Sequence, residues 1–307
     1  MPLHIANMGS SFAAGPSIEP IANRFAARSG ANYASLLAAR IGARLTDVSA
    51  TGATLLNMVS APQEIPGYRF APQVEQLPPD ADIVLVLGGG NDLGYIGGLF
   101  ADTASSHWIG QYIAPADPSE PPSSSSSPLL LSPNDDGSSS SSSNNKENNN
   151  NSEATAAAAA ALDETGVATL YAQVLDAIHA KAPRALVLVV EYLTMVGPDA
   201  RPRTDVPFGA ERAEHHRRAA RALQRATARA ARAPERLPWC VLVPVAEPSR
   251  GHGLGARNPW VEGFSWRLLY SGGAYHPNAE GMRAVAEILY WKLFELGRVG
   301  DDAPVLL

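Results

Sequence analysis

The sequence predicts an α/β protein: a three-layer α/β/α sandwich built on a parallel sheet of five strands. Two observations carry that expectation. Short apolar runs at residues 82–87, 185–191 and 239–245 are almost free of polar positions, as in strands covered on both faces. Longer stretches with helical spacing separate them, and strand–helix alternation of this kind builds parallel sheets.

In chain order, residues 3–8 read as the first strand and 31–42 as a helix. Residues 44–48 form a weaker strand candidate, and 82–87 the next strand. A helix at 167–182 precedes the strand 185–191. A helix at 210–233 precedes 239–245, and 278–296 closes the pattern as an amphipathic helix. Between about 117 and 161 the order breaks into Ser123–Ser127, Ser138–Ser143, Asn148–Asn151 and an alanine run. Such tracts bury too little apolar surface to offset the entropy of ordering, so a disordered insertion in a surface loop is expected. The chain 1–307 then reads as one domain, with about 260 residues left to build a well-buried core.

Composition narrows the partners. The 307 residues are 45% hydrophobic with a formal net charge of −6, and the isoelectric point is near 5.7. A mildly acidic chain argues against nucleic acid, whose phosphates call for a basic surface. Arg217, Arg221, Arg225 and Arg229 repeat every four residues, which reads as a solvated helix face with alanines turned inward. His215 and His216 are adjacent on that helix and point in different directions, so they do not form a metal pair. The sole cysteine, Cys240, excludes an internal disulfide and reads as a buried thiol. No run of about 18 apolar residues occurs, and the first strand begins almost at once, leaving no room for a leader. A cytoplasmic location is the expectation. No metal or cofactor is expected, because no His/Cys/carboxylate set has ligand spacing.

Three groups of residues carry chemistry. Gly9-Ser10-Ser11-Phe12-Ala13-Ala14-Gly15 follows the first strand, at the sheet edge where active-site groups gather. A turn or cap serine is the structural alternative. Gly88-Gly89-Gly90-Asn91-Asp92 follows the strand 82–87. It fits neither a Walker loop nor a dinucleotide fingerprint, whereas Asn91 suits an amide donor aimed at developing negative charge. Its alternative is a turn with Asp92 as a helix cap. Tyr275-His276-Pro277-Asn278 precedes the last helix, and its imidazole suits proton transfer; a histidine in a turn capped by the asparagine is the alternative.

Together with Ser49-Ala50-Thr51-Gly52-Ala53-Thr54, these motifs run in the order Ser, Gly, Asn, His. The set resembles the SGNH (GDSL-like) hydrolase superfamily over nearly the whole chain outside the Ser/Asn-rich stretch. The resemblance implies Ser11 as nucleophile, Gly52 and Asn91 as oxyanion donors, and His276 as general base. It also implies a small-molecule ester as substrate and an acyl-enzyme intermediate. Thioesterase or lysophospholipase action on the same site, and an inactive binding protein on the same fold, are the other readings.

Two positions depart from the family pattern. Ser10 stands where an aspartate is usual, and Gly273 stands where the triad aspartate is usual, three residues before the histidine. A Ser–His dyad with a backbone carbonyl orienting the imidazole is the resulting expectation, with Glu262 as a distant substitute acid. Residues 251–271, with Trp260, Phe264 and Trp266, read either as a lid or pocket wall or as aromatic packing under a long loop.

Overall fold

A computed structural model describes residues 2–106 and 162–300. Along the chain, strand β1 spans His4–Gly9 and helix α1 spans Ser11–Ala14. The short strands β2 (Ile21–Asn23) and β3 (Arg28–Ser29) pair antiparallel, and helix α2 (Tyr33–Ile41) leads to β4 (Arg44–Asp47). Helix α3 (Leu55–Val59) precedes a second small hairpin, β5 (Gln63–Ile65) with β6 (Tyr68–Phe70). Then come β7 (Ile83–Leu87), α4 (Tyr95–Ser106), α5 (Glu164–Lys181), β8 (Leu186–Val190), α6 (Ala210–Ala231) and β9 (Cys240–Val243). Helices α7 (Trp266–Ser271) and α8 (Ala279–Glu295) finish the described chain. The Ser/Asn-rich stretch expected at about 117–161 lies outside the described residues.

The five long strands form one parallel sheet in the order β4-β1-β7-β8-β9. The chain steps from β1 to β4 in one direction, then crosses to β7 and continues the opposite way. Because parallel crossovers are right-handed, the reversal puts α2 on one face and the later crossover helices on the other. α2 packs with α8, and α5 packs with α6. Every residue of β1, β7 and β8 is buried, which accounts for the unbroken apolar sequences of β7 and β8; β1 also buries His4 and Asn7. The reversal occurs between β1 and β7, and open α/β sheets place their clefts at the strand carboxyl ends beside such a point.

Arg221, Arg225 and Arg229 of α6 are exposed as expected, whereas Arg217 is partly buried and donates to the Gly197 carbonyl at 2.8 Å. Arg225 and Arg229 pair with Glu164, and Arg221 pairs with Glu214; exposed pairs of this kind contribute little stability. His216, in contrast, is buried and holds the Asp102 carboxylate at 2.8 Å, fastening α6 to α4. Among the described residues no helix is long and apolar enough to cross a membrane.

The segment 251–271 divides between the two readings given for it. Trp260 stacks on His252 at 4.0 Å between centroids and is partly buried against the core, as is Phe264. Trp266 and Tyr270, on α7, are exposed.

Candidate active site

β4, β1 and β7 are neighbours, and the loops leaving their carboxyl ends carry Gly52, Ser11 and Asn91 in that lateral order. Ser11 opens α1 and is buried, and Ser10 before it is extended. The backbone ahead of the serine is held from several sides. The Ser10 N–H donates to the Leu87 carbonyl at 3.0 Å, and the Ala50 N–H donates to the Gly9 carbonyl at 3.1 Å. The Gln73 side-chain amide grips Gly9 at both ends, its Oε1 accepting from the N–H at 2.8 Å and its Nε2 donating to the carbonyl at 3.0 Å.

Gly52 sits at φ +82°, a left-handed conformation that glycine adopts without steric cost. The Thr51 carbonyl beside it accepts a 2.7 Å hydrogen bond from Gln63 Nε2. Asn91 Nδ2 donates to the Ala53 carbonyl at 2.9 Å, which joins the third loop to the second. A side-chain amide has two hydrogens, so this bond leaves one to donate elsewhere. The N–H groups of Ser11 and Gly52 have no acceptor among the described residues. Asp92 receives the Leu55 N–H at 3.1 Å and so caps α3 rather than acting as a base. Burial pushes its carboxyl above the usual range, against the pull of that bond.

His276 is buried, with Nδ1 2.8 Å from the Ala274 carbonyl oxygen. A carbonyl only accepts, so Nδ1 carries the hydrogen and Nε2 keeps a free lone pair. Burial pushes the imidazole down to about 4, opposed by the Ala274 carbonyl. The Phe12 ring, next to Ser11, lies 5.6 Å from the His276 ring, centroid to centroid. Among the described residues no hydrogen bond joins Ser11 to His276.

The turn that presents the Ala274 carbonyl passes through Tyr275, whose φ of 57° is left-handed. A non-glycine residue there costs of order 1–3 kcal/mol and persists only when its surroundings hold it. They do: the Tyr275 hydroxyl bonds to Thr103, and Phe100 meets the ring edge-on at 5.3 Å. Both anchors come from α4, the helix that follows the Asn91 loop.

At Gly273 a Cβ would lie 3.0 Å from the Ser17 Cβ and Oγ and 3.2 Å from Leu268 Cδ2. An aspartate has no room there unless Ser17 moves. Glu262 meets this loop through its backbone: its N–H donates to the His276 carbonyl at 2.8 Å, and its carbonyl accepts from the Tyr275 N–H at 3.2 Å. With Nδ1 already engaged by Ala274, Glu262→Gln is expected to leave kcat within about twofold of the parent, the range for a substitution away from the chemistry. A loss near 10⁴-fold in an ester assay would instead make Glu262 the orienting acid.

The sequence led to a backbone carbonyl as the partner of His276, and the structure identifies that carbonyl as Ala274. It did not point to Gln73 or Tyr192. Only Tyr192 carried a usable signal, since it stands just beyond a strand carboxyl end. Cys240 is buried, and burial pushes its thiol up to about 12, so it is no competing nucleophile.

This sheet, with its loop residues gathered over β4, β1 and β7, is that of the SGNH hydrolases. It is similar in fold to an extracellular lipase from Streptomyces rimosus (TM-score 0.64, 17% identity, 94% of this chain and 99% of that one). It is also similar to phospholipase A1 from Streptomyces albidoflavus NA297 (TM-score 0.65, 17% identity, 95% and 100%). Over residues 8–284 the sequence matches the GDSL-like Lipase/Acylhydrolase family, and the chain belongs to that family. Lipase 2 of Streptomyces coelicolor is 39% identical over 87 residues, a match spanning 28% of this chain and 28% of that protein.

Proposed function

We propose that the chain is a carboxylic ester hydrolase working through an acyl-enzyme on Ser11, with His276 as general base in a Ser–His dyad. The observation that carries this reading is the 2.8 Å bond from His276 Nδ1 to the Ala274 carbonyl. It fixes the tautomer whose Nε2 can take a proton, the task that the triad aspartate performs elsewhere.

In the proposed reaction Ser11 Oγ attacks the ester carbonyl carbon while its proton passes to His276 Nε2. The oxyanion receives hydrogen bonds from the N–H groups of Ser11 and Gly52 and from the second Nδ2 hydrogen of Asn91. Collapse breaks the carbon–oxygen bond, and His276 returns the proton to the departing alkoxide. Water, deprotonated by His276, then attacks the acyl carbon; the bond to Ser11 Oγ breaks, His276 returns the proton to that oxygen, and the acid leaves.

A fluorophosphonate probe with intact-mass readout tests the proposal. One adduct on Ser11 is expected, and an unlabelled protein under conditions that label a control serine hydrolase would refute it. Asn91→Ala is expected to lower kcat by about 10²- to 10³-fold with little change in KM, as removal of one oxyanion donor does elsewhere. A change confined to KM would assign Asn91 to ground-state binding.

The proposal takes the whole chain as one hydrolase domain and keeps a cytoplasmic location. The location is supported by a single, buried, unpaired cysteine, and cell fractionation tests it.

A further inference from the structure

Where related enzymes carry an aspartate before the nucleophile, this chain has Ser10, and the Ser10 side chain has a partner of its own. Its hydroxyl lies 2.9 Å from the hydroxyl of Tyr192, a residue two positions past the end of β8. The same Tyr192 oxygen accepts the Gly90 N–H at 3.1 Å. A phenol has one hydrogen and two lone pairs, enough to hold both partners at once. Ser10 is 1% exposed and Tyr192 6%, so water does not readily take the place of either bond. Burial pushes the phenol up to about 12, which keeps it protonated.

The two groups held are the residues immediately before Ser11 and immediately before Asn91. One oxygen therefore bridges the serine loop and the amide loop, beside the Ser10 N–H bond to the Leu87 carbonyl at the end of β7. The ring is fitted to the task as well. A Cβ at Gly90 would lie 2.7 Å from the Tyr192 hydroxyl and 2.8 Å from the ring, so the approach needs glycine at that position. Phe12 packs on Tyr192 at 4.6 Å and on His276 at 5.6 Å between centroids, so the Tyr192 ring backs the aromatic that touches the base.

We infer that Tyr192 is a positioning residue for ester hydrolysis, locking the nucleophile loop to the oxyanion loop through Ser10 and Gly90. The inference rests on the function proposed above. Tyr192→Phe keeps the ring and deletes the hydroxyl, leaving the Gly90 N–H and the Ser10 hydroxyl without their partner. Displacements of about 1 Å in a catalytic set cost on the order of 10²-fold.

The test measures kcat per fluorophosphonate-titrated Ser11, together with KM, for the parent, Tyr192→Phe, Ser10→Ala and the double variant. Tyr192→Phe is expected to lower kcat per site by about 10- to 100-fold with KM within about twofold. Ser10→Ala, which loses one of the two bonds, is expected to fall by at least about threefold and at most about tenfold. The double variant is expected to be no slower than Tyr192→Phe, because the two deletions remove one shared interaction. A purely structural role would reduce the titratable fraction or the melting temperature and leave kcat per site unchanged; that result, or multiplicative losses in the double variant, would overturn the inference. Should Tyr192→Phe fail to fold, Ser10→Ala decides from the other end of the bond, and unchanged turnover there overturns it. A parent protein that the probe does not label refutes the proposed function and this inference together, whereas a labelled parent with an unaffected Tyr192→Phe refutes the inference alone.

Discussion

Ser11→Ala is expected to cut turnover of a soluble aryl ester by about 10⁴-fold or more and to abolish probe labelling. In a serine protease with a full triad, loss of the serine costs about 2 × 10⁶ in kcat and loss of the aspartate alone about 3 × 10⁴. If the aspartate's absence cost this chain the whole of that second factor, the serine would have little left to contribute. Much of the aspartate's effect is tautomer control, since the amide replacement that leaves the geometry intact but gives the wrong tautomer costs about 10⁴. The Ala274 carbonyl at 2.8 Å keeps the tautomer, so most of the serine's contribution should survive. Ser10→Ala keeps turnover within about tenfold of the parent, because its hydroxyl is bonded to Tyr192 and loss of one neutral hydrogen bond costs only about 1 kcal/mol. The reverse pattern, with Ser10→Ala dead and Ser11→Ala active, would move the nucleophile by one residue.

The second large effect concerns His276 and acid. The base must be neutral to act, and its folded value of about 4 predicts kcat/KM level from neutral pH to about pH 5. Below about pH 4 it should fall tenfold per unit. A limb centred between pH 6 and 7, where an ordinary imidazole titrates, would show that burial does not govern this base. Stability follows the same group with a definite sign. The folded protein keeps His276 neutral while the unfolded chain protonates it below about 6.5, so folding weakens as pH falls from about 6.5 to about 4. A shift of that size is worth about 3 kcal/mol. His276→Ala is expected to abolish turnover and to flatten that part of the melting-temperature profile. A profile that keeps its slope would assign the acid sensitivity to another group.

Strands β7, β8 and β9 were legible because they are largely buried and carry no polar punctuation, whereas β4 (Arg44–Asp47) is partly exposed and was the weaker candidate. All five strands and helices α2, α5, α6 and α8 fall within a few residues of their expected bounds, whereas the twelve-residue α4 was not expected. The two small hairpins and α7 were not legible. They are short and take their order from contacts distant in sequence, such as the Ala26 carbonyl that accepts the Thr51 N–H. Ser11, Gly52, Asn91 and His276 became candidates through the family resemblance, whose motifs lie after strands or before a helix. Gln73 did not, since a glutamine whose amide holds the backbone of Gly9 looks like any loop glutamine until the chain is folded. For His216 the sequence supplied only a reason against a metal pair with His215; its bond to Asp102 was not legible, because helical spacing says which way a side chain points and not what waits there.

The partner of His276 is a main-chain oxygen, and no codon specifies a main-chain oxygen. A triad aspartate can be erased by one nucleotide change, whereas the Ala274 carbonyl is present whatever residue is encoded at 274. The hereditary burden moves to whatever sets the direction of that carbonyl: the left-handed bend at Tyr275 and the α4 residues Thr103 and Phe100 that brace it. Drift in this lineage is therefore expected to spare the shape of residues 273–276 and the α4 residues that brace it, while leaving no acidic residue there to mark the site.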